Sequence, residues 1–72
     1  MAVKDVIIHL RFGGESREAT AGEIGISNLD DDDALLRAVA DHFDLSLEEL
    51  KRECVIERSE GAIIIRPKAI FG

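Results

Sequence analysis

One cysteine, one proline and no block of basic residues stand in this sequence of 72 residues. Cys54 alone leaves no internal disulfide to brace the fold, and a reducing, cytoplasmic setting fits best. No leading signal segment and no run of 18 apolar residues appears, so neither export nor a membrane partner is expected. Nine Lys and Arg are scattered among fifteen Asp and Glu, for a net charge of −6. Affinity for nucleic acid comes largely from clustered cations that release counterions from phosphate, so this balance argues against a nucleic-acid partner. Low-complexity sequence is absent too. What is present is hydrophobic residue, 46% of the chain. That suits one domain near the lower size limit for folding without outside help.

From Val6 to Phe12 the apolar residues alternate. Val6, Ile8, Leu10 and Phe12 fall on one side, with Ile7, His9 and Arg11 on the other, the pattern of a half-buried strand. Gly13 and Gly14 follow and supply the positive φ of a tight hairpin turn. A connection of two or four residues then puts Ala19 and Ala21 on the face of Leu10 and Ile8, with Glu18 and Thr20 outside. A second strand with such small inward residues leaves room for a helix to pack over it.

That helix is announced by Asn28 to Asp33, a stretch rich in N-cap residues and in carboxylates that favour a helix N-terminus. Leu35, Leu36, Val39, Ala40 and Phe43 then recur at helical spacing over about 12 residues. Ser46 with Glu49 reads as a capping box and Leu45 with Leu50 as its hydrophobic staple, which predicts a short helix over Leu47 to Arg52. Cys54 to Glu57 is strand-like, Ser59-Glu60-Gly61 is a turn, and Ala62 to Ile65 is an unbroken apolar strand. Both Cys54/Ile56/Ile64 and Val55/Ile63/Ile65 are apolar sets, so the pattern leaves open which faces the helix. Pro67 ends regular pairing or confines it to an edge.

The order is hairpin, helix, hairpin. Pairing the first strand with the last, parallel and central, lets one main helix cover a mixed sheet in a right-handed crossover. By layout, over nearly the whole chain, this α+β arrangement resembles the β-grasp of ubiquitin-like proteins. The resemblance implies a domain over residues 1–67 and a C-terminal tail over 68–72. Ubiquitin-like modifiers and the thiamine and molybdopterin sulfur carriers end in such a tail. It also implies that an activating enzyme adenylates the carboxylate of Gly72 and passes the acyl group to an acceptor. Glycine suits that step, since a residue without Cβ passes a narrow channel and leaves its carbonyl open to attack. Arg66 and Lys68 would then offer charge contacts to the partner, and Ile70 and Phe71 would anchor in apolar pockets. The implied partners are an adenylating enzyme of the ubiquitin-activating type and downstream conjugation proteins. The usual ending is Gly-Gly, and Phe71 in the penultimate place sets this chain apart from the sulfur carriers. Bacterial ubiquitin-like conjugation systems have more varied ends.

Other features carry less. "KAIFG" also reads as a short last strand docked on the sheet edge. Cys54 has no catalytic motif around it and is expected in the core. His9 and His42 lie far apart and belong to no ligand-spaced cluster, with His9 facing solvent across from Glu18. The run Asp30 to Asp33 lacks the alternating ligands, the glycine and the closing glutamate of a calcium loop, and no metal or cofactor is expected. No set of carboxylates, Ser-His-Asp or Cys-His can be assembled, so the chain is not read as an enzyme. The alternative function is a non-catalytic interaction or assembly module. It would form a homo-oligomer or filament, or serve as an accessory subunit of an enzyme, the second strand offering a poorly guarded edge.

Overall fold

A computed structural model describes residues 3–68. A turn of 3-10 helix at Val3–Asp5 leads into β1 (Ile7–Phe12) and β2 (Glu15–Thr20), followed by a short helix α1 (Ala21–Ile24). Then come α2 (Asp32–Phe43), α3 (Leu47–Glu53) and a closing hairpin of β3 (Cys54–Ser59) and β4 (Ala62–Pro67). The strands form one mixed sheet in the order β2-β1-β4-β3. β1 and β4 run parallel in its centre, with Ile8 beside Ile63 and Leu10 beside Ile65, and both hairpins are antiparallel.

Local chemistry accounts for most of the boundaries. Phe12 pairs with Glu15, so the first hairpin turns on Gly13 and Gly14 alone, at φ 63° and 81°. A two-residue turn with positive φ at both centres matches the strand twist, and only glycine adopts it without strain. α2 starts at Asp31, whose side chain accepts the Ala34 N–H at 3.2 Å. It stops at Asp44, a left-handed residue whose N–H donates to Ala40 O. α3 is capped by Ser46, whose hydroxyl accepts the Glu49 N–H at 3.3 Å.

One layer of helix lies on one face of the sheet, and the core is the seam between them. Ile8, Leu10, Leu35, Val39, Leu50 and Ile65 are the largest fully buried side chains. Each contributes roughly 1.5–3 kcal/mol by leaving water. The helical positions expected to face inward do so: Leu35, Leu36, Val39 and Ala40 are buried and Phe43 is half-buried against them.

Three expectations need correction. Ala21 is buried but belongs to α1 and not to the second strand. The Thr20 hydroxyl accepts the Glu23 N–H while the Glu23 carboxylate accepts the Thr20 N–H, each at 3.1 Å, and this capping box turns the chain into a helix. Ala19 is therefore the small inward residue of β2, and Arg17, opposite Leu10, reaches over the Phe43 ring at 5.9 Å from its centroid.

The second hairpin turns on Glu60 and Gly61, because Ser59 pairs with Ala62. A turn shorter by one residue changes the parity of the pairing. The inward face is thus Cys54 and Ile56 with Ile63 and Ile65, which combines the two sets the sequence kept apart. β3 also runs two residues beyond the expected Glu57, to Ser59.

The exposed face of the sheet and the chain exit

Strand alternation sends every second side chain of the sheet away from the helices. β1 contributes Ile7, His9 and Arg11 to this outer face, and β4 contributes Ala62, Ile64 and Arg66. His9 stands opposite Glu18 of β2, its Nδ1 at 3.3 Å from Glu18 Oε2. On the other flank the Arg66 guanidinium is ion-paired with Glu57 of β3. Both pairs are largely exposed, where such contacts contribute at most about 1 kcal/mol. Between them lies a shallow cleft of about 310 Å³ lined by His9, Arg11, Glu57, Ile64 and Arg66.

β4 ends at Pro67, opposite Cys54. Lys68 follows with an exposed side chain, and its backbone N–H donates to Glu53 O at 2.8 Å. That bond fixes the chain where it leaves the sheet. Ile70, Phe71 and Gly72, assigned from the sequence to the tail, lie outside the described residues. Arg66, assigned with them as a partner contact, is a strand residue held by Glu57. Below Lys68 opens a groove of about 370 Å³ with Leu36, Cys54 and Ile56 among its lining residues. Asp33 and Lys51, at 3.3 Å from one another, are at its rim.

Cys54 is only 6% exposed, and burial, reinforced by the neighbouring Glu53 charge, pushes its thiol pKa up. A thiol held protonated is a poor nucleophile at neutral pH. His42 is exposed and forms a T-shaped pair with the Phe43 ring, the centroids 4.8 Å apart. The structure does not bring it together with His9. The acids at the head of α2 have structural partners: Asp31 is the cap, Asp32 pairs with Arg58 at 2.5 Å, and Asp33 pairs with Lys51. Glu23 is held below the ordinary carboxylate range by its hydrogen bonds from Thr20, backbone first, with a smaller pull from His42.

Three features of this region were not read from the sequence. Arg58 clamps the loop before α2, donating from Nε and Nη2 to the Leu29 carbonyl at 3.0 and 2.8 Å. A separation of 29 positions between the partners leaves no local signal for it. The Thr20-to-Glu23 capping box did have one, the spacing Thr-x-x-Glu, masked by the alternation of Ala19 and Ala21. The neighbourhood of Arg11 and Arg66 requires the β1–β4 register, which neither strand contains by itself.

No protein-family model, no curated protein and no solved structure matches the chain. Among the described residues no helix is long and apolar enough to cross a membrane.

Proposed function

We propose that the chain is a β-grasp, ubiquitin-like modifier whose Gly72 carboxylate is activated by an adenylating enzyme and conjugated to a target. The observation that carries this reading is the path of β4. It runs parallel to β1 in the middle of the sheet and brings the chain out at Lys68, at the end of the sheet and beside an exposed face. A segment leaving from there enters a partner's channel while the domain rests against that partner.

In the activation step a Gly72 carboxylate oxygen attacks the α-phosphorus of ATP and pyrophosphate leaves. An acceptor thiol or amine then attacks the acyl carbon of the adenylate, losing its proton as AMP departs. Arg66 and Lys68 provide positive charge near the exit, and Ile70 and Phe71 provide apolar anchors. Cys54, buried with its thiol protonated, has no part in the transfer.

The test is incubation with ATP and a panel of ubiquitin-type activating enzymes, followed by intact-mass measurement. Chains ending at Gly72, lacking Gly72, or carrying one added residue after it are compared. An adenylate or adduct formed by the first alone supports the reading. An extended chain that conjugates without trimming overturns it.

A second reading, a non-catalytic interaction module, is favoured by one feature of the sheet. Among the described residues β2 and β3 are both edge strands, each with an outer row of backbone groups that can pair with another chain.

A further inference from the structure

Within the outer face, two arginines stand where strand pairing discourages them. The parallel register puts His9 beside Ile64 and Leu10 beside Ile65, so one step further Arg11 of β1 comes beside Arg66 of β4. Like charges side by side on adjacent strands are destabilising, and most sheets avoid them. Arg66 is relieved by Glu57, but Arg11 makes no ion pair among the described residues. Both line the 310 Å³ cleft with His9 and Glu57, and the apolar side chain of Ile64, beside His9 and two residues before Arg66, lines it next to them.

The distribution of charge around the cleft narrows what fits. Arg11 and Arg66 balance Glu18 and Glu57 on the outer face, so the chain's whole net charge of −6 sits elsewhere. The helical side, with Asp30 to Asp33, Asp41, Asp44, Glu48 and Glu49, repels an approaching carboxylate, whereas in this cleft two arginines stand against the one carboxylate of Glu57. Guanidinium forks match carboxylates in shape as well as charge. From these observations we infer that the Arg11–Arg66 cleft is a docking site for an acidic partner segment. That segment is extended, with a carboxylate set between the two arginines and a neighbouring apolar side chain on Ile64. Its carboxylate supplies Arg11 with a counter-charge that no ion pair among the described residues gives it. This site does not depend on Gly72 being conjugated.

The experiment is a nitrogen-15 amide titration of the full chain with three probes. They are a capped peptide Leu-Ser-Glu-Ser-Leu, which in extended form presents glutamate between two leucines on one face, its glutamine counterpart, and inorganic phosphate. Saturable shifts confined to amides of residues 9–12 and 64–67, seen with the glutamate peptide and not its counterpart, are the expected result. Arg11→Gln should weaken binding about fivefold, the effect of one exposed charge contact. Arg37→Gln, on the exposed side of α2, should leave it unchanged, and the spectra themselves report that each variant is folded. Equal binding of the glutamine peptide, absence of saturable shifts at millimolar peptide, or full affinity in Arg11→Gln overturns the site. Phosphate moving the same amides as strongly overturns the peptide assignment in favour of a small anion. Shifts that grow with protein concentration alone overturn it in favour of a second copy of the chain.

Discussion

The two faces of the sheet are made from the same strands with opposite chemistry. Along β1 the inward Ile8 and Leu10 are fully buried, while Ile7 is 40% exposed and His9 and Arg11 carry polar groups outward. Along β4 the inward Ile63 and Ile65 are buried at 3% and 0%, yet the outward Ile64 is as large and as apolar as either. An isoleucine spent on the solvent side is what distinguishes this face from a merely soluble one. The inner face determines whether the chain folds, and the outer face is free to be selected for what it touches.

The sharpest way to break that comparison is to truncate neighbouring isoleucines. Ile65→Ala should cost about 2–5 kcal/mol, since it leaves a cavity in a closed core, whereas Ile64→Ala should cost about 1 kcal/mol or less. Urea denaturation of the two variants checks this, and similar losses would mean that the outer face is structurally covered. Next in size is Thr20→Ala, at the edge of the outer face, where loss of the capping hydroxyl should cost about 1 kcal/mol.

The same cap gives a pH signature. Glu23 has its pKa lowered in the folded chain, so its contribution is present above the ordinary carboxylate pKa and is lost as pH falls through the folded value. Denaturation midpoints followed from neutral to acid pH should fall less in Thr20→Ala than in the parent. Cys54 provides a kinetic contrast, because a buried, protonated inner-face thiol should react with a disulfide reagent only after urea exposes it. Prompt native-state reaction would show that the inner face opens at that corner. Smallest of all, a double-mutant cycle on His9 and Glu18 should give a coupling below about 1 kcal/mol, as exposed pairs do.

How legible the molecule is in its sequence differs by region for a physical reason. Period-two alternation from Val6 to Phe12, the glycine pair, the Asp31 region and the helical stripe from Leu35 to Phe43 are local signals, and each lies where expected. The parallel pairing of β1 with β4 followed from economy, since it lets one main helix cover the sheet in a right-handed crossover. What failed depended on parity. Ser59-Glu60-Gly61 shows that a turn exists but not whether two or three residues form it, and that single residue decides which isoleucines are buried. In α1, a capping box competed with an alternating pattern and won, because it satisfies backbone donors that a frayed strand end would leave open. The Arg11–Arg66 neighbourhood and the Arg58 clamp are products of tertiary assembly, so no window of sequence contains them.

The central place of β4 has a consequence for how the molecule comes into being. Its partner β1 is near the start of the chain, so the middle of the sheet joins segments more than fifty residues apart. During synthesis β1 and β2 emerge as a lone hairpin, which is marginal in water, and the helices emerge with no closed sheet to cover. Folding must therefore wait until Ala62 to Pro67 clear the ribosome, after which the last strand slides between two neighbours and completes both halves at once. Residues 62–67 are thus a keystone as well as an exit. A chain truncated just before them should lose the whole fold, while its first 61 residues keep nearly all of the helix-forming sequence.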